Sequence, residues 1–134
     1  MKKYLLFLMV LTISVLSCGQ DKSTTENSED KPEMIFNETD HNYGTIKYKG
    51  DGIYEFVYKN TGKVPLIIKR VDSSCGCTVP SWDKEPIAPN GKGKIVVKYD
   101  TNRIGSFIKS IKVFSNAENS PVELIIRGEV KVTD

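Results

Sequence analysis

The chain has 134 residues, 27% of them charged and 39% hydrophobic, with 10 Gly, 6 Pro, 3 Cys and a single His. That length allows one domain, and the composition excludes collagen-like, wholly disordered and multi-span membrane classes. The net charge is +2, and one His excludes any metal site that needs two.

Lys2 and Lys3 open the chain, and the uncharged, mostly apolar run Tyr4–Leu16 follows, closed by Ser17 and Cys18. A charged start, a short apolar core and a small residue at the end make the layout of a secretory signal peptide. The run is too short to span a bilayer, which takes about 20 apolar residues. Its end resembles a bacterial lipobox, which implies cleavage before Cys18 and acylation of the Cys18 thiol. Residues 1–17 are therefore expected to be a lipoprotein signal peptide. Their removal takes away Lys2 and Lys3 and leaves basic and acidic side chains in balance. No basic footprint for nucleic acid remains, and the membrane is held through the lipid on Cys18.

Residues 18–33 then read as a lipidated Cys and a disordered linker, because Gly19–Glu33 holds no aliphatic or aromatic side chain. Gly19, rather than Asp, follows the lipobox Cys, which by that resemblance implies sorting to the outer membrane, facing periplasm or surface. The acidic run Glu26–Asp30 reads as solvated linker.

From Met34 the period changes to two, which places the folded domain at 34–134. Tyr54, Phe56 and Tyr58 alternate with Glu55, Val57 and Lys59; Ile95, Val97 and Tyr99 alternate with Lys94, Val96 and Lys98; Leu124, Ile126, Gly128 and Val130 alternate with Glu123, Ile125, Arg127 and Glu129. Such runs are half-buried strands. Turn signals at Gly50-Asp51-Gly52, Asn60-Thr61-Gly62, Pro89-Asn90-Gly91 and Asn116–Pro121 separate them. The spacing predicts about seven strands, near 34–37, 44–48, 53–60, 65–71, 92–100, 106–115 and 121–132, in an all-β antiparallel sandwich without helices.

Cys75-Gly76-Cys77 is the one constellation able to carry chemistry. Four readings stand open: a disulfide or redox pair, two buried apolar cysteines, a soft-metal site for Cu(I) or zinc with thin help from His41, Asp72 or Asp83, and an intermolecular bridge. His41, between Asp40 and Asn42, reads as an exposed turn residue. Trp82 falls in the loop after the cysteines, as a lid over the sandwich end or an exposed binding aromatic. Arg103 lies in the Thr101–Gly105 turn. Trp82 and Arg103 are the candidate binding residues, since Trp and Arg are common anchors. Lys92, Lys94 and Lys98 read as one solvated strand face.

The ordered set Asn60-Thr61-Gly62, Pro65-Leu66-Ile67-Ile68, Ser74-Cys75-Gly76-Cys77-Thr78, Pro86-Ile87-Ala88-Pro89-Asn90-Gly91 and Tyr99-Asp100 resembles the family known as domain of unknown function 1573. Gly105, Phe107 and Lys109, then Ser115-Asn116, continue it. The resemblance covers about Phe36 to Val130. It implies an immunoglobulin-like sandwich in an exported bacterial protein, often a lipoprotein, and implies no activity. The expected function is a non-enzymatic binding or structural module with no cofactor, whose partner is an envelope protein or a glycan. The alternative is a thiol redox or copper-binding protein acting through Cys75 and Cys77.

Overall fold

The alternating runs become eight strands in a computed structural model that describes residues 30–133. The expected signal peptide, Cys18 and the linker up to residue 29 lie outside the described residues. The strands are β1 (Met34–Phe36), β2 (Asp40–Lys47), β3 (Ile53–Asn60), β4 (Ile68–Ser73), β5 (Thr78–Trp82), β6 (Lys92–Tyr99), β7 (Gly105–Ser115) and β8 (Val122–Lys131). They form two four-stranded sheets in the orders β1-β3-β6-β5 and β2-β8-β7-β4. All pairings are antiparallel except β2 with β8. The fold is an all-β sandwich, with no helix among the described residues.

Three elements depart from the sequence reading. Thr78–Trp82 is a strand rather than a loop. Strand β2 begins at Asp40, before a bulge between Asn42 and Thr45 where Gly44 takes φ 66°. Strand β4 begins at Ile68, and Leu66 makes an isolated bridge to Ile87 instead. The domain also takes in the end of the expected linker. Pro32 is buried, its carbonyl accepts the Glu118 N–H at 2.9 Å, and the Glu33 carbonyl accepts the Thr61 N–H at 3.0 Å.

One face of each sheet fills the core: Phe56 and Tyr58 from β3, Ile95, Val97 and Tyr99 from β6, Phe107, Ile111 and Val113 from β7, and Leu124, Ile126 and Val130 from β8. Burial of this apolar area is the main favourable term. Tyr99 and Phe107 stack across the sheets, ring centroids 3.7 Å apart. Tyr58 lies over Gly93, where any Cβ would stand 2.5 Å from the Tyr58 Cζ, so only Gly fits.

Side-chain amides knit the end where the chain enters. Asn60 is 0% exposed; its Nδ2 donates to the carbonyls of Val64 (2.8 Å) and Ile87 (3.0 Å), and its Oδ1 accepts the Gly62 N–H (3.0 Å). Asn116 bonds the backbone of Pro65 and Ile67, and Asn119 bonds both the N–H and the C=O of Met34. Because Met34 faces away from β3 in the alternation, Asn119 stands where a neighbouring strand would pair. The outer edge of β5 is closed by other means. Asp100 N–H donates to the Cys77 carbonyl, so residues 77, 79 and 81 bond β6 and residues 78, 80 and 82 face outward. The Thr78 N–H is taken by the Cys75 carbonyl at 3.2 Å, and Pro80 has no N–H.

Candidate functional site

The β4–β5 turn carries the cysteines. Ser74 ties its first half to β7, donating its N–H to the Ser110 carbonyl (2.9 Å) and accepting the Ser110 N–H on Oγ (3.1 Å). Ser73 Oγ donates to the Cys75 carbonyl at 2.9 Å. In the structure the sulfurs of Cys75 and Cys77 are joined, across a Cα separation of 5.3 Å. That separation falls in the range a disulfide takes. The Cys77 N–H donates to the Cys75 Sγ at 3.1 Å. Cys77 is 4% exposed and part of the core, whereas Cys75 is half-buried and Gly76 is exposed.

An open groove of about 430 Å³ lies against this turn, lined by Gly76, Cys77, Val79, Lys98, Tyr99, Asp100 and Asn102. Register sets Ile53, Lys98 and Val79 side by side on the outer face of the sheet. Ile53 and Val79 are 50% and 60% exposed there, and Ile104 in the next loop is 63% exposed. Asp100 Oδ1 accepts the Asn102 N–H (3.0 Å) and Nδ2 (2.8 Å), and Arg103 Nε lies 3.7 Å from Oδ2. The backbone and side-chain bonds from Asn102 hold the Asp100 carboxyl below its ordinary range. Gly105, at φ 115°, lets the chain turn back into β7 after Arg103 and Ile104.

The structure thus gathers Cys75, Cys77 and Arg103 at one end of the sandwich. Trp82 is elsewhere: it closes β5 at the far end of that strand and packs half-buried against the core, with Nε1 enclosed and Lys84 Nζ 3.1 Å from its ring centroid. Its indole is core cover rather than an exposed anchor. His41 is also no exposed turn residue. It sits on β2 with its ring stacked on Tyr54 (centroids 3.4 Å, planes 10° apart) and Nδ1 3.1 Å from Glu38 Oε1. It lies on a different strand edge from the cysteine turn and supplies no ligand there. Among the described residues no group of three His, Cys, Asp or Glu side chains gathers around a metal position. Lys92, Lys94 and Lys98 are exposed on one face of β6, with Lys94 paired to Glu55 at 2.8 Å. Sequence reasoning missed the groove, because it exists only once β5 is paired with β6.

Residues 34–130 match the family model described as Protein of unknown function (DUF1573). None of the curated proteins matches by sequence. Among solved structures, a protein of unknown function from Porphyromonas gingivalis W83 superposes with TM-score 0.69 at 16% identity, over 77% of this chain and 49% of that one. The present chain thus spans about half the length of that protein. The human CEP192 PapD-like domain 7 superposes with TM-score 0.66 at 8% identity, over 81% of this chain and 92% of that domain. The Vibrio cholerae VesB protease superposes with TM-score 0.55 at 13% identity, over 77% of this chain and 32% of the protease. At these identities the likeness is one of fold.

Proposed function

The chain belongs to the DUF1573 family, and from that premise we propose that it is an exported, lipid-anchored envelope protein whose sandwich is a non-enzymatic module binding another envelope protein. The lipobox-like Ser17-Cys18 supports the anchor, and Gly19 supports the outer membrane in a host that has two.

The observation that carries the binding role is the opposition of the two ends. Met34 pairs with Asn60, so the chain enters beside Lys59 and Gly62, while the cysteine turn lies beyond Ile53 and Tyr99. The eight residues of β3 separate the two ends by about 26 Å at ~3.3 Å per residue. An anchor upstream of residue 30 would join the domain at the end remote from the groove, Val79 and Ile104. Apolar side chains beside Lys98 and Arg103 make a surface of the composition that protein partners bury.

Two measurements test this. Cys18→Ser should abolish incorporation of labelled fatty acid and release the chain from membranes. A photo-crosslinking residue at Val79 or Ile104 should capture a discrete envelope protein in intact cells, whereas one at Lys63 should not. Capture of the same species from Lys63, or none from either tip position, refutes the tip as a binding surface.

A further inference from the structure

The two sulfurs at the tip are unequal. Cys77 is 4% exposed and fixed in the core, with its carbonyl bonded to the Asp100 N–H at 2.8 Å. Cys75 sits half-buried at the turn, and the space beside Gly76 is open, with no atom within 4 Å of where a Cβ would stand. Thiol–disulfide exchange needs a thiolate to reach one sulfur and expel the other, so access decides which sulfur is attacked. Of the two residues, Cys75 is the more exposed, and Cys77 is the one buried in the core. The groove beside the turn is lined by Gly76 and Cys77 as well as Val79, Lys98 and Asn102, giving an incoming segment a place to lie next to the pair. The Cys77 N–H, 3.1 Å from the Cys75 Sγ, is also placed to stabilise a thiolate on Cys75 once the bond is broken.

We propose that Cys75–Cys77 is an exchange-active disulfide that oxidises a cysteine pair in an extended segment of another exported protein. One thiolate of that pair attacks Cys75 Sγ. The Cys75–Cys77 bond breaks, a mixed disulfide forms at Cys75, and Cys77 leaves as a thiolate that takes up a proton. The second thiol of the pair, as thiolate, then attacks its neighbour's sulfur in the mixed disulfide and releases Cys75. The substrate loses two electrons and two protons and gains a disulfide; Cys75 and Cys77 end as two thiols. This step goes beyond the non-enzymatic reading and uses the same groove, but it is read at the cysteines themselves, so a tip that captured no partner would still exchange with glutathione.

The full chain carrying Cys18→Ser, in which Cys75 and Cys77 are the two remaining cysteines, tests the assignment in detergent, with glutathione as the probe. In Cys77→Ser the lone Cys75 should form a mixed disulfide with oxidised glutathione at least about 10-fold faster than the lone Cys77 in Cys75→Ser, as exposure of the attacking thiol dictates. With both cysteines in place, reduced glutathione should open the disulfide without unfolding, read as two alkylated thiols at an unchanged urea midpoint. Equal rates at the two single cysteines overturn the assignment. So does a native disulfide that resists excess glutathione and yields only in denaturant, and this second arm decides alone if either variant fails to fold.

Discussion

Asn60 is the polar residue on which the entry end of the sandwich most depends. Its side chain is 0% exposed and makes three hydrogen bonds, to Val64, Ile87 and Gly62. Asn60→Ala removes all three at once. The Ile87 carbonyl keeps a second donor, the Leu66 N–H at 2.8 Å, so its loss counts for little. The Val64 carbonyl and the Gly62 N–H lose a partner in a part-buried site, at about 1–2 kcal/mol each. The expected loss is therefore about 2–4 kcal/mol, against about 5–15 kcal/mol for a whole domain. Asn60→Asp should be worse at neutral pH. It keeps the acceptor toward Gly62 but turns a carboxylate onto two carbonyls, and it should recover in part as pH falls and the carboxyl protonates. Urea unfolding followed by the single Trp, Trp82, reads both variants. A loss under about 1 kcal/mol for Ala, or an Asp variant as stable as the Ala one, would refute the account.

Other consequences are as direct. Gly93→Ala drives a Cβ to within 2.5 Å of the Tyr58 Cζ and should cost about 2–3 kcal/mol, as overpacking does. Tyr58→Leu should relieve that penalty in the double variant where Tyr58→Phe does not, because the ring carbon itself is in conflict. Burial, with Asp83 nearby, raises the Tyr58 hydroxyl to about 12, above its value of about 10 in the unfolded chain. Its contribution is complete below pH 10 and is lost as pH rises through 12, so stability should fall by up to about 1.4 kcal/mol per pH unit there, with a shallower slope in Tyr58→Phe by urea titration. Pro80→Thr restores an outward N–H on β5 and should produce concentration-dependent self-association in sedimentation; a variant as monodisperse as the parent would show that Pro80 does not close that edge. Arg103→Ala, which removes an exposed ion pair 3.7 Å long, should change the urea midpoint by less than about 0.5 kcal/mol in stability.

The strands that bury one full face were legible. Tyr54, Phe56 and Tyr58, or Ile95, Val97 and Tyr99, must alternate because every second side chain enters the core. Strand β5 was not legible, because Pro80 reads as a breaker when only the sequence is in view. The proline is tolerated since its position faces outward, a fact of register that no local pattern states. His41 in Asp40-His41-Asn42 looks like turn material, yet its burial comes from Tyr54 on the opposite sheet. Asn60 was legible as a turn residue but not as a buried one, since two of its partners, Val64 and Ile87, lie on different connections. The cysteine pair was visible at once. Its place at the end remote from chain entry, and the unequal burial of its sulfurs, required the pairing of β5 with β6.

The closed borders of β1 and β5 bear on how copies of this chain would behave side by side. Molecules confined to a surface meet one another far more often than the same number free in volume, and they meet in a few repeated orientations. Unpaired backbone at a sheet border would then zip neighbour to neighbour into ribbons. Asn119 occupies one border with a side chain, and Pro80 with the Cys75 carbonyl silences the other. Dense lateral packing would therefore find little unpaired backbone to extend at the two borders of this sheet.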